Sequence, residues 1–198
     1  KLVLSARGKT RALLLAERSA LNFFGHLSGI ATLTKQWVDA VSDTNTLIRD
    51  TRKTTPGLRE LEKYAVRMGG GVNHRLSLAD AALIKDNHVL AAGGVASAFN
   101  LVKKKFPNLP LEVEVDSLQQ LREVIEAGAD LVMLDNMSIE ECRAAVEIVA
   151  GRAKLEASGG LILNNAHAYA KTGVDYLAVG ALTHSAPVLD IGLDLRME

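Results

Sequence analysis

The strongest constraint on the fold is an alternation that starts after residue 41 and runs almost to the end of the chain. Short apolar or β-branched runs take turns with amphipathic helical stretches: "TLIRD" then 58–68, "AALIKD" then 95–106, "LEVEVD" then 117–127. "LVMLD" then 138–149, "AKLEAS" then 165–172, and a final "YLAVGAL" continue the series. Parallel neighbours cannot be joined by a hairpin, so a strand–helix repeat implies a parallel sheet with crossover helices, either a barrel or a doubly wound sheet. Ser117 with Gln120 and Ser138 with Glu141 spell capping boxes at two helix starts, and Gly128 and Gly173 stand where C-terminal caps belong. Ahead of the alternation, Leu13, Leu14, Ala20, Leu21, Phe24, Leu27 and Ile30 recur at helical spacing. They predict a helix from Thr10 to about Val41 with a possible break near Ser28–Gly29.

Polar residues choose between the two sheets. Each strand is apolar in its body and meets a polar or glycine position near its C-terminal end: Arg52, Lys85, Glu114, Asp135, Ser158 and Gly180. In a (β/α) barrel all such ends converge on one mouth, whereas an open sheet shares a site only at its switch point. For any single strand a charged residue that simply caps it toward solvent is an equal reading, but the whole series favours the barrel.

Two of the ends carry small-residue turns. Ser158-Gly159-Gly160 sits after a strand and before a helix, where backbone N–H groups can meet a phosphate, and Val179-Gly180-Ala181 repeats the arrangement one strand later with His184 beside it. Either could be a plain tight turn; on successive terminal strands they favour phosphate. Glu114 and Asp135 end adjacent strands, and two carboxylates near a phosphate suit magnesium, sugar hydroxyls or a developing positive charge. Glu112 shares the parity of Glu114 and is best read as a salt bridge deep in the barrel. Lys85 in "LIKDNH" reads as half-desolvated, and is a surface lysine, a clamp on a substrate carboxylate, or a Schiff-base amine. His74 and Arg75 follow three glycines, a mobile or tightly turned approach. In "LIRDTRKTTPG", Arg49 and Asp50 close a strand structurally, Arg52 and Lys53 face the mouth, and Thr54–Gly57 turns into a helix.

Composition narrows the classes further. At 198 residues with 48% hydrophobic content the chain suits one core. Its 23 basic and 23 acidic residues cancel, so no bulk field draws it to nucleic acid or an anionic membrane. No apolar run approaches the roughly 20 residues of a membrane span. Cys142 is the single cysteine and reads as packing, which excludes internal disulfides and fits a reducing cytoplasm. No His, Cys and carboxylate set has zinc spacing; His26, His88 and His167 read as structural or exposed. The chain opens with Lys1 in mid-pattern, so a preceding part is expected.

At this point the blocks "AERSALNFFGHLSGIAT", "DTRKTTPGLR", "GGGVNHRLSLADAALIKDNH", "LEVEVDS", "LVMLDNM", "LEASGGL" and "TGVDYLAVGALTHS" together resemble quinolinate phosphoribosyltransferase, over nearly the whole chain. The resemblance implies an incomplete, open parallel α/β barrel over 30–186, with 1–29 and 187–198 as remnants of an N-terminal α/β sandwich domain. It implies transfer of a phosphoribosyl group from phosphoribosyl pyrophosphate to quinolinate with decarboxylation, a step of NAD biosynthesis, in a homodimer or higher oligomer that needs magnesium. Arg52, His74, Arg75 and Lys85 would hold the two carboxylates, Thr51 would join the substrate contacts, and Arg18 would reach the partner's site. Lys53 would meet pyrophosphate or substrate, Glu114 and Asp135 the ribose and magnesium. Ser158, Gly159, Gly160, Val179, Gly180 and Ala181 would bind the 5-phosphate, supported by His184; Lys85, Glu114 and Asp135 would be catalytic. The remaining alternatives are a nicotinate phosphoribosyltransferase and a Schiff-base aldolase or lyase using Lys85.

Overall fold

The computed structural model describes residues 2–196; Lys1, Met197 and Glu198, assigned above to the terminal remnants, lie outside it. The chain begins with α1 (Thr10–Ala40), then β1 (Leu47–Arg49), α2 (Arg59–Met68), β2 (Ala82–Ile84), α3 (Asp86–Ala92) and α4 (Val95–Lys105). It continues through β3 (Leu111–Val115), α5 (Leu118–Glu126), β4 (Leu131–Asp135) and α6 (Ile139–Val149). The last elements are β5 (Lys154–Ser158), α7 (Leu163–Ala170), β6 (Tyr176–Ala178) and α8 (Ala181–His184). All strand pairs are parallel, in the order β1-β6-β5-β4-β3-β2, and Val72 extends the β1 edge through a single bridge to Arg49. The sheet curves as a barrel does but stays open: no strand pairing joins β2 to the Val72 segment among the described residues.

Alternation along the strands divides the molecule into two layers. Val113, Val115, Val132, Leu134, Leu155, Ala157 and Leu177 are buried with Leu121, Val124, Ala145 and Ala166 of the helices, so the apolar core lies between sheet and helices. Each buried valine or leucine among them contributes about 2 kcal/mol of transfer free energy, each alanine less. The opposite parity carries Glu112, Glu114, Met133, Asp135, Glu156 and Ser158. Small barrels usually fill that interior with branched apolar side chains. Here it is largely charged, which dictates how the site must be built.

Both capping serines accept from the backbone N–H three residues on, Ser117 from Gln120 at 3.4 Å and Ser138 from Glu141 at 3.2 Å. Only the second closes reciprocally, with the Ser138 N–H donating to Glu141 at 2.7 Å; Gln120 accepts instead from the N–H of Asp116 at 3.1 Å. Gly128 and Gly173 take left-handed φ of 86° and 96°. The short α3 and α8 have no counterpart in the periodicity, since seven and four residues are too few to display one.

The break expected near Ser28–Gly29 does not occur, and α1 runs unbroken past residue 30. Gly25 and Gly29 serve close approach instead: the segment Pro187–Leu189 crosses α1 there, and a Cβ on Gly29 would lie 2.0 Å from the Pro187 carbonyl oxygen. The three glycines before His74 are likewise packed rather than mobile, since a Cβ on Gly69 would lie 2.4 Å from the Ala31 carbonyl oxygen and one on Gly71 2.8 Å from Val66. No helix of the described residues is long and apolar enough to cross a membrane.

Gly29→Ala tests the crossing. The added methyl raises helix propensity by about 1 kcal/mol but must displace the 187–189 segment, so a net loss of roughly 1–3 kcal/mol in urea unfolding is expected. Ser19→Ala, on exposed α1 surface, should be neutral or slightly stabilising. A Gly29→Ala protein as stable as the Ser19→Ala protein would contradict the close packing.

Candidate active site

A cavity of about 860 Å³ opens at the C-terminal ends of the strands. All six strand-end positions singled out in the sequence, Arg52, Lys85, Glu114, Asp135, Ser158 and Gly180, line it. Thr51 and Lys53 join them from the loop after β1, His74 and Arg75 from the loop between α2 and β2, and Gly159, Gly160, Val179, Ala181 and His184 from the segments after β5 and β6. Arg18 does not: it lies exposed on α1, outside this chain's cavity. Leu83, Met133, Asn136, Leu161 and Ala178 line the cavity without having been legible as site residues.

The loop after β1 is fixed from three sides. Glu62, fully buried on α2, accepts from the Thr55 N–H at 3.1 Å and meets His26 Nε2 of α1 at 2.8 Å. Thr183 of α8 donates its hydroxyl to the Lys53 carbonyl at 2.7 Å, and Arg59 Nε donates to Thr54 Oγ1 at 2.9 Å. Gly180 lies against both side chains, since a Cβ there would come 3.2 Å from Lys53 Cδ and His184 Nε2 and push them aside. Lys53 and Arg52 are thereby presented on a braced loop rather than a floppy one.

The loop carrying His74 and Arg75 is held by buried charge. Asp50 accepts from Lys63 Nζ at 2.5 Å, from the His74 N–H at 2.7 Å and from Asn73 Nδ2 at 2.6 Å, while Lys63 also donates to the His74 carbonyl at 2.9 Å. Burial pushes Lys63 below its ordinary pKa, opposed by the bond to Asp50. His74 then engages both ring nitrogens within the protein: Nδ1 accepts the Arg75 N–H at 2.7 Å, and Nε2 approaches Glu112 Oε2 at 2.7 Å, close but not aligned as a hydrogen bond. His74 also lines the cavity, and its Nε2 makes no aligned hydrogen bond within the protein.

Beneath the mouth, Arg49 donates to Glu156 at 2.7 Å, lies 4.0 Å from Glu112 and stacks 4.8 Å from the Tyr176 ring centre. This bears out the structural readings of Arg49 and Glu112 and adds Glu156, which the sequence hid inside an apolar strand. His74, Glu112 and Glu156 also bring donor atoms within 4.8 Å of one another, a gathering from three separate segments that no sequence spacing announces. Burial and then the Glu112 charge push Glu156 up to about 8, with Arg49 pulling the other way. The Oε1 atoms of Glu112 and Glu156 lack partners, and a proton on Glu156 supplies the missing donor. Burial opposes the charge of Arg49, but Glu156 and Glu112 outweigh it and raise its pKa.

The upper wall is cationic. Arg52 and Arg75 each hold a buried Nε with no partner, and Arg75 is pushed below its usual pKa by burial and by Arg52 beside it. Two adjacent guanidiniums with orphaned donors at a cavity wall are complementary to a carboxylate or phosphate. Opposite, Lys85 Nζ donates to Glu114 at 2.8 Å with its side chain 50% exposed. Lys85 is thus half-desolvated, as the sequence suggested. A half-exposed ammonium held by a carboxylate is the reverse of the apolar setting that activates a Schiff-base lysine, and that alternative falls.

Gly159 and Gly160 take φ of 86° and 62°, and Asn165 secures the turn by accepting from Ile162 N–H at 2.9 Å and donating to the Gly160 carbonyl at 3.2 Å. A Cβ on Gly159 would lie 2.1 Å from Asn136 Oδ1, so only glycine fits against the β4 loop. Asp135 is itself bonded by Asn136 Nδ2 at 2.8 Å. His167 pairs with Asp43 at the far end of the barrel and His88 accepts from the Lys85 N–H, so both are structural. Cys142 is fully buried, its thiol pushed up to about 11 by burial.

Residues 30–194 match the model of the quinolinate phosphoribosyl transferase C-terminal domain. The chain is 58% identical to a nicotinate-nucleotide pyrophosphorylase [carboxylating] of Mycobacterium leprae (strain TN), over 98% of this chain and 69% of that protein. It is 44% identical to a probable nicotinate-nucleotide pyrophosphorylase [carboxylating] of Bacillus subtilis (strain 168), over 100% of this chain and 68% of that one. The solved nicotinate-nucleotide pyrophosphorylase of Francisella tularensis superposes with a TM-score of 0.89 at 50% identity, covering 91% of this chain and 65% of that structure. The chain thus spans about two thirds of the length of the relatives it matches.

The shared proton gives the site a pH signature. A Glu156 pKa raised from its ordinary 4.5 to about 8 means that the folded state binds more protons than the unfolded state between those values. Stability should therefore fall as pH rises through that window, by at most a few kcal/mol. In Glu156→Gln, whose amide supplies a permanent donor, denaturant unfolding at pH 5 and pH 8 should differ by less than in the wild type. An unchanged difference would contradict a protonated Glu156.

Proposed function

From the premise that this chain belongs to the quinolinate phosphoribosyltransferase family, a family of pentosyltransferases, we propose that the protein of which it is part converts quinolinate and phosphoribosyl pyrophosphate to nicotinate mononucleotide, pyrophosphate and carbon dioxide. The observation that carries the reading is the pair of buried, unpartnered Nε atoms of Arg52 and Arg75 on the same cavity as the two small-residue turns. One wall suits a planar diacid, the other a phosphate.

The chemistry follows from the placement. Arg52 and Arg75 hold the ring carboxylates and orient the pyridine nitrogen, while the turns at Ser158–Gly160 and Val179–Ala181 hold the 5-phosphate. The nitrogen bonds to ribose C1 as the C1–O bond to pyrophosphate breaks, and the leaving electron pair stays on pyrophosphate near Lys53. Positive charge that develops on the ribose faces Glu114 and Asp135. The ring C2–carboxylate bond then breaks, carbon dioxide leaves, and C2 takes a proton; Lys85 stands where the departing carboxylate would lie. Glu114 and Asp135 also present the hard oxygen donors that magnesium accepts alongside substrate oxygens, a fit for a metal that neutralises pyrophosphate charge.

The assembly is part of the same proposal. Residues 1–29 and 187–198 are assigned to an N-terminal sandwich domain and 30–186 to the barrel, although the C-terminal-domain match runs on to residue 194 and argues for keeping 187–194 with the barrel. The exposed Leu15 (84%) and Phe23 (47%) of α1 support a homodimer, in which the exposed Arg18 would reach the partner's cavity. We place the reaction in the cytoplasm, with which the lone, buried Cys142 is compatible.

The test uses the whole protein, not this segment. Release of carbon dioxide and nicotinate mononucleotide is expected, with Arg52→Ala lowering kcat/KM for quinolinate by about a hundredfold or more. Nicotinate should compete weakly, because a monoacid leaves one cation unmatched. Unchanged turnover in Arg52→Ala, or nicotinate preferred over quinolinate, would sink the reading.

A further inference from the structure

The barrel's opening separates two halves of the cavity wall. Arg75 stands beyond Val72 on the β1 side, whereas Lys85 and Glu114 belong to the β2 and β3 side. No strand pairing joins those edges among the described residues; the 73–81 loop and side chains span them instead, Arg75 Nη1 donating to the Ala81 carbonyl at 2.9 Å beside β2. His74 spans the opening to Glu112 at 2.7 Å, with both residues more than nine-tenths buried and Glu156 Oε1 3.7 Å away.

The other side of the imidazole completes a link. Its Nδ1 accepts the Arg75 N–H at 2.7 Å, so that nitrogen is unprotonated and the ring hydrogen resides on Nε2, toward Glu112. A chain of contacts then runs from the Glu112 carboxylate through the ring to the amide of the residue whose guanidinium faces the cavity. We propose that Glu112 is a positioning residue which, through His74, sets the separation between Arg75 and the Lys85–Glu114 wall and so the fit of a planar diacid. The substrate in this statement rests on the phosphoribosyl transfer reading; the brace itself does not.

The same donors could be imagined to hold a metal ion. The guanidinium of Arg49, 2.7 Å from Glu156 and 4.0 Å from Glu112, already places positive charge among them and disfavours a second cation. The geometry also explains why Glu112 touches no substrate-facing surface, being two residues, about 7 Å, below Glu114 on β3.

The experiment combines nitrogen-15 histidine spectra with kinetics of the whole protein, with His74→Gln serving to assign the His74 signals. In the wild type, His74 should show protonated Nε2 and unprotonated Nδ1. Glu112→Met, close in volume but without an acceptor, should give mixed tautomers and raise KM for quinolinate at least about tenfold, with KM for phosphoribosyl pyrophosphate within about threefold. Glu112→Gln, which keeps an acceptor oxygen, should restore the tautomer and KM. A wild-type Nδ1–H tautomer, a Glu112→Met protein unchanged in both readouts, or an equal loss for both substrates in the Met and Gln variants would overturn the proposal. So would zinc uptake by the wild type that Glu112→Met abolishes. Should the Met protein not fold, the wild-type tautomer and the Gln kinetics decide. A wild type that fails to turn over quinolinate defeats the functional reading alone, since the spectra still test the brace.

Discussion

The structure depends on charge that has been taken inside an open barrel. Arg49, His74, Glu112 and Glu156 occupy the interior that apolar side chains would otherwise fill, and each is buried or nearly so. Isolated, any one of them would cost several kcal/mol; paired across the interior, they tie strands that do not hydrogen-bond to one another. The apolar layer between sheet and helices supplies the stability that allows this. Val113, Val132, Leu134, Leu155 and Leu177 need no help from the interior.

From that arrangement the division of labour at the mouth follows. Asp50 and Lys63 fix the backbone of the His74–Arg75 loop, and Glu62 with Thr183 fixes the Arg52–Lys53 loop. Two guanidiniums are thereby held close together with their buried Nε donors unpaired, at an electrostatic cost that a bound anion would relieve. On the opposite side, glycines with positive φ bring backbone close to whatever lies above β5, and Asn136 locks Gly159 in place. Rigid cationic and phosphate-compatible walls on one cavity are what a reaction between a diacid and a sugar phosphate requires.

Much of this was legible before any coordinates. The parallel sheet and its six strands followed from the alternation, and all six strand-end residues line the cavity, because period-two alternation and the convergence of parallel strand ends are local rules with a global result. What stayed hidden depends on distance in space rather than in sequence. Glu156 sits in "AKLEAS" as one charge in a strand, and nothing local tells that Arg49 lies opposite it. The neighbours of the two His74 ring nitrogens, an adjacent amide and a carboxylate on β3, are likewise not announced by local sequence. Gly29 looked like a break because its reason, the crossing of Pro187–Leu189, comes from the other end of the chain.

The central claim is that the Nε donors of Arg52 and Arg75 are kept unpaired in order to receive a dicarboxylate, Arg75 Nη1 being held by the Ala81 carbonyl at 2.9 Å. A crystal structure of the whole protein with quinolinate tests it most directly. The account predicts that the ring carboxylates accept from Arg52 and Arg75 through the Nε-bearing edges that lack partners here, with His74 still turned toward Glu112. Quinolinate bound at the Ser158–Gly160 turn, or held by His74 with both guanidiniums turned away, would contradict it.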